Sequence, residues 1–113
     1  MNIEAETYGD TVMLILKGEL TADSLGVFSQ GMEHQLENRE IIDVVLDLAN
    51  VPFIDSATLE YLLDLQDRLA ERLGQIKLVR CDANVRKILE ITRLEQAFEI
   101  FEDPAEAVKA IRT

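Results

Sequence analysis

Apart from acids, few side chains in this chain could do chemistry. The serines are Ser24, Ser29 and Ser56, the one histidine is His34 and the one cysteine is Cys81. A hydrolase-type nucleophile needs a tight turn that lifts its hydroxyl, usually Gly-x-Ser-x-Gly, and none of the three serines sits in one. His34 carries no local signature that would bring it to a serine as a base, and reads as a residue of a helix surface or its rim. A lone histidine and a lone cysteine cannot assemble a zinc-like ligand set. Cys81 follows an apolar run, which suits a buried or partly buried structural thiol. No Gly-x-x-x-x-Gly-Lys-Ser/Thr or Gly-x-Gly-x-x-Gly loop is present to cradle phosphates, so intrinsic ATP or dinucleotide chemistry is not expected. The 22 acidic residues include Asp10, Asp23, Asp43, Asp47, Asp55 and Asp64, whose separation defines no catalytic pair. These side chains predict a protein that is not an enzyme and holds no metal or cofactor.

Ser56 stands apart for a local reason. It lies between the apolar pair Phe53-Ile54 and a helix expected from about Ala57, where the first backbone N–H groups lack helical acceptors. Either Asp55 or Ser56 could cap that end, and as caps alone they would only close a loop and start a helix. Neither makes a capping box, because the third residue onward is Thr58 or Leu59. A phosphate on Ser56 would be favoured by the first-turn N–H groups and the helix dipole. It would also add about 1.5 to 2 negative charges beside Asp55. Such a modification could spare the fold and remove a partner, which makes Ser56 a candidate docking switch. Thr58 is a second candidate acceptor in the same segment.

The elements that must position Ser56 follow from hydrophobic periodicity. Ile3 to Leu16 reads as a hairpin turning at Gly9-Asp10, its first strand half exposed or at an edge and its second buried on both faces. Thr21, Asp23 and Ser24 are candidate caps of a helix whose stripe is Leu25, Phe28, Met32 and Leu36. Asp43 to Leu48 is the next strand, and Asn50-Val51-Pro52 breaks it. A long helix over about Ala57 to Leu73 carries an inward stripe of Leu59, Leu62, Leu63, Gln66, Leu69 and Leu73. Its outward candidates include Glu60, Asp64 and Arg68, with an Asp64 to Arg68 pair available one turn apart. Gly74 reads as the terminator and Ile76 to Val79 as a strand joined by a parallel crossover. A short helix from near Ala83 or Asn84, a strand at Phe98 to Phe101 and a last helix begun by Asp103-Pro104 complete the chain. The reading is α/β: a mixed sheet of four or five strands with about four helices.

Length and charge bound the rest. A chain of 113 residues, 48% of them hydrophobic, suits one domain over 1–113, which would hide roughly two thirds of its unfolded surface. No apolar run reaches the ~18 residues of a membrane span. Met1-Asn2-Ile3-Glu4 lacks the basic and apolar parts of a secretory signal, so a cytoplasmic location is expected. The net charge of -11 repels phosphate backbones, which argues against direct nucleic-acid binding, and suits a basic partner surface.

The string from Asp47-Leu48-Ala49-Asn50 through Val51-Pro52-Phe53-Ile54 to Asp55-Ser56-Ala57-Thr58-Leu59 resembles the signature of the STAS family. That domain is shared by bacterial anti-sigma factor antagonists and the cytoplasmic tails of sulfate transporters. Leu16-Lys17-Gly18-Glu19-Leu20 and the stretch Leu94 to Phe101 extend the resemblance over nearly the whole chain. It implies a STAS-like mixed sheet with helices packed mainly on one face. It further implies that free-standing members bind an anti-sigma factor with serine-kinase activity, release a sigma factor, and are restored by a serine phosphatase. The serine directly after the loop aspartate is the family's phosphoacceptor, which falls on Ser56. Where a more usual segment reads Asp-Ser-Ser-Gly, this chain has Asp55-Ser56-Ala57-Thr58, and Thr21 stands where many members place an aspartate, with Asp23 nearby.

The expected partner-binding residues are therefore Asp55, Ser56, Thr58, Thr21 and Asp23, with Glu60 and Asp64 on the adjoining helix. Two other readings stay open at this level. One is a STAS interaction subunit of a signalling scaffold or phospholipid-transport complex. The other is a small-molecule or nucleotide-sensing domain.

Overall fold

The structure, a computed structural model, describes residues 1–112. Among them the elements run β1 (Asn2–Tyr8), β2 (Thr11–Lys17), α1 (Ala22–Leu36), β3 (Asp43–Asn50), α2 (Ser56–Glu71), β4 (Ile76–Val79), α3 (Ala83–Ile91), β5 (Glu99–Phe101) and α4 (Pro104–Arg112). The strands lie side by side in chain order. β1 pairs antiparallel with β2 through a turn in which Gly9 takes φ 63°, and every later neighbour is parallel. The mixed sheet expected from the sequence is thus present, with β1 at one edge.

Alternate residues of the central strands face different layers. Val12, Leu14 and Leu16 of β2, Val44, Leu46 and Leu48 of β3, and Ile76 and Leu78 of β4 join one large core with α1, α2 and α3. The intervening Met13, Val45 and Val79 pack against Ala107 of α4, flanked by Val108 and Ile111. Three helices therefore cover one face while α4 covers part of the other. This explains why β2, β3 and β4 are apolar at successive positions: both faces are shielded from water.

The long helix departs from the expected stripe. Its buried residues are Thr58, Leu59, Leu62, Leu65 and Leu69. Leu65 replaces Leu63, which is only half-buried, and Leu73 is 90% exposed. The helix ends at Glu71, and Leu73 takes φ 63°, with Leu73 N–H donating to Ala70 O and Gly74 N–H to Leu69 O. That is a Schellman ending whose left-handed residue is a leucine. Gly74 is needed for a different reason: a Cβ there would lie 1.7 Å from the carbonyl oxygen of Ile42. Each fully buried leucine on the inner face stabilises by about 1.5–3 kcal/mol, enough to hold α2 against the sheet and so fix where it begins.

Candidate functional site

The loops after β2 and β3 are joined before either helix starts. Leu20 and Ile54 form an isolated parallel bridge. Gly18 N–H donates to Asn50 O at 3.0 Å, Leu20 N–H to Phe53 O at 2.9 Å, and Asp55 N–H to Leu20 O at 3.0 Å. Leu20 and Ile54 are both buried, so apolar burial and backbone pairing pin the same short segment. The starts of α1 and α2 are brought side by side as a result.

Asp55 serves both starts. Its backbone is extended, φ -104° and ψ 176°, as a cap requires. Oδ1 accepts from Thr58 N–H at 3.0 Å and Oδ2 from Ala22 N–H at 2.8 Å. These bonds favour the charged carboxylate, and the one from Thr58 contributes most to holding its pKa below the usual aspartate value. Thr58 is fully buried and its hydroxyl donates to Leu20 O at 3.1 Å. In this structure the Thr58 side chain fastens the loop from inside, whereas Ser56 nearby faces outward.

Ser56 is the first residue of α2 and is exposed. Among the described residues none hydrogen-bonds its hydroxyl. Glu60 and Asp64 follow at successive steps of four, are exposed, and continue the row that Ser56 begins. Arg68, one turn further, does not pair with Asp64. It turns to α1 and grips Glu33 with two bonds, of 2.7 and 2.5 Å, while the Tyr61 hydroxyl donates to the same carboxylate at 2.8 Å. The Arg68 guanidinium lowers the Glu33 pKa, and burial, followed by the Glu33 bond, raises that of Tyr61. Among the described residues Glu60 and Asp64 form no direct ion pair, although Asp64 lies close enough to Arg68 to be attracted by its charge.

Thr21 is the half-buried cap residue of α1. Its N–H donates to Ser24 Oγ at 3.0 Å, and Ser24 Oγ–H donates to Glu19 O at 2.7 Å. Asp23 is exposed in the first turn, and among the described residues its side chain makes no hydrogen bond or ion pair. The carboxylate at the start of α1 is therefore supplied by Asp55, across the two loops. The structure thus brings Asp55, Ser56, Thr58 and Thr21 together, and leaves Asp23 on the outside of α1 and Glu60 and Asp64 along α2.

One surface feature escaped the sequence. Phe53 is 40% exposed while Ile54 is buried, and Asn84 Nδ2 of α3 donates to Pro52 O at 3.1 Å, bracing the loop that carries Phe53. The alternation of an extended segment was the available signal, since neighbours in such a segment point opposite ways. Two other residues sit as expected. His34 is exposed, 3.8 Å from Glu37, and Cys81 is half-buried, its thiol pushed up to about 11 by burial.

Among the described residues no cluster of histidine, cysteine and carboxylate side chains could hold a metal ion, and no helix is long and apolar enough to cross a membrane. Residues 2–107 match the family model of the STAS domain. A STAS-domain containing protein of Pseudomonas aeruginosa (strain UCBPP-PA14) is 45% identical over 56 residues, which span 50% of this chain and 55% of that protein. The anti-sigma F factor antagonist of Paenibacillus polymyxa is 24% identical over 110 residues, 96% of this chain and 92% of that one. The anti-sigma factor antagonist SpoIIAA in its unphosphorylated form superposes with a TM-score of 0.83 at 19% identity, covering 98% of this chain and 96% of the other. The phosphorylated form of Bacillus SpoIIAA gives 0.74 at 17% identity, covering 97% and 99%. At these identities the superpositions establish the fold.

Proposed function

The chain belongs to the STAS domain family, and from that premise we propose that it is an anti-sigma factor antagonist whose docking is switched by phosphorylation of Ser56. The partner is an anti-sigma factor with serine-kinase activity. The observation that carries this reading is the exposed Ser56, whose hydroxyl has no hydrogen-bond partner among the described residues, beside Asp55. The names of the Paenibacillus relative and of the two SpoIIAA forms support it.

The domain is a ligand and a substrate, with no turnover of its own. ATP held by the kinase gives its terminal phosphoryl group to Ser56 Oγ, leaving ADP and releasing the hydroxyl proton. A phosphatase returns the hydroxyl by adding water to phosphorus and freeing inorganic phosphate. Both proteins meet this chain in the cytoplasm.

The corner tolerates phosphate because the cap of α2 is carried by Asp55 and Thr58, so modifying Ser56 breaks no bond of the frame. The new charge falls beside Asp55 and one turn before Glu60, in a row that is already acidic. A partner surface fitted to the neutral hydroxyl then faces a dianion that must be desolvated, and the complex weakens. Phe53 supplies an apolar contact next to Ser56, and Asp23, Glu60 and Asp64 form an acidic rim for basic residues of the partner.

The deciding experiment is capture of binding proteins by the unmodified chain and by S56D, with folding of both checked by circular dichroism. Recovery of a kinase-like anti-sigma factor, reduced with S56D, is expected, followed by site-resolved mass spectrometry placing phosphate on Ser56 after incubation with ATP. Recovery of a transport complex without a kinase would overturn the pathway, and phosphate on another residue would overturn the acceptor.

A further inference from the structure

The edge of the sheet opposite β1 is open. β5 is the last strand in the order, and among the described residues no strand pairs with its outer side. Phe101 O accepts from Arg80 N–H at 2.9 Å, so Phe101 turns its backbone groups toward β4. Alternation along the strand then turns the N–H and C=O of Ile100 outward. Two depressions lie along this edge. One, of about 400 Å³, is lined by Arg86, Glu90, Glu95 and the β5 residues; another, of about 270 Å³, reaches from Gln66 to Lys77; both include Gln96 and Glu99.

The charges on this edge do not balance. Lys77 Nζ is paired with Glu99 Oε1 at 2.9 Å, and Arg86 is paired with Glu102. Both bases are thereby engaged. Glu90 and Glu95 are exposed and, among the described residues, form no ion pair.

We propose that this edge docks an extended basic segment of a partner protein, added beside β5 as a further strand. The outward N–H and C=O of Ile100 pair with the segment's backbone, and its lysine or arginine side chains meet Glu90 and Glu95. Backbone pairing supplies attachment while the flanking depressions select side chains. A second copy of this chain does not fit, because two such edges would set the same carboxylates against each other on molecules of net charge -11. The surface shares no residue with the Ser56 corner and stands independently of the function proposed there.

The test is a titration of the isotope-labelled full chain with a synthetic peptide, Lys-Val-Lys-Val-Lys with both ends blocked, followed by amide resonances. Saturable shifts centred on Ile100, with slowed exchange of its amide hydrogen, are expected. A double variant, E90K with E95K, lowers the affinity about tenfold or more, and so does methylation of the peptide's central backbone nitrogen. Resonances remote from β5 stay in place in the variant, which separates lost docking from lost folding. Equal binding of the methylated peptide, the same shifts from spermidine, or shifts centred on β1 would each overturn the proposal.

Discussion

The corner at Ser56 and the edge at β5 are both accessible, and they are open in opposite senses. At the corner the backbone is engaged through Gly18, Leu20, Ala22, Asp55 and Thr58, and the Ser56 hydroxyl has no partner among the described residues. At β5 the side chains of Lys77 and Arg86 are engaged, and the groups that remain available are the outward backbone of Ile100 and the carboxylates of Glu90 and Glu95. A braced frame with one free hydroxyl suits covalent change that leaves the frame standing. An unpaired edge suits reversible pairing without chemistry. Exposure alone does not distinguish these uses; what the neighbouring groups are already bonded to does.

The contrast can be broken at Asp55. Removing its carboxylate in D55A deprives the first turns of α1 and α2 of an acceptor each, at about 1 kcal/mol per cap and about 2 kcal/mol in all. Denaturant unfolding should show that loss, and a change under about 0.5 kcal/mol would mean the corner is not braced as described. T58V keeps the shape and deletes the bond to Leu20 O; it should cost about 1 kcal/mol in the same measurement.

A pH series sharpens the same point. The folded pKa of Asp55 is lowered from the ordinary 3.8. Its contribution is therefore fully present above that value and is lost as pH falls through the lowered folded pKa. The stability gap between the parent and D55N should be constant near neutrality and narrow in acid below the ordinary value. The smallest effect belongs to S56A, which should alter stability by less than about 0.5 kcal/mol while abolishing phosphate uptake from the captured kinase and ATP. A larger destabilisation would make Ser56 part of the frame.

The strands and the order of elements were legible because the alternation of β1, the short apolar runs of β2 to β4 and the Gly9-Asp10 turn are local signals. The face that α2 buries was read less well. With leucines at 59, 62, 63, 65, 69 and 73, several stripes fit the same helix, and only its tilt on the sheet selects Leu65 over Leu63. Leu73 fell outside because the helix stops first, in a left-handed turn that a leucine seldom adopts. At the site, Asp55 and Ser56 were visible from their place before an apolar helix. The pairing of Asp55 with Ala22 spans 33 residues and that of Arg68 with Glu33 spans 35. Neither separation leaves a trace in spacing, so the nearby Asp64 looked like the natural partner of Arg68. The burial of Thr58 was not legible, because a threonine in a first turn can face either way and the carbonyl that draws it inward belongs to the loop before α1.

The shared carboxylate has a dynamic consequence. Because one aspartate holds an amide of each helix, the first turns of α1 and α2 should open as a single cooperative unit. The amide hydrogens of Ala22 and Thr58 would then exchange with solvent at coupled rates, although they belong to separate elements. Strain applied at either helix start would be felt at the other without any movement of the sheet beneath them.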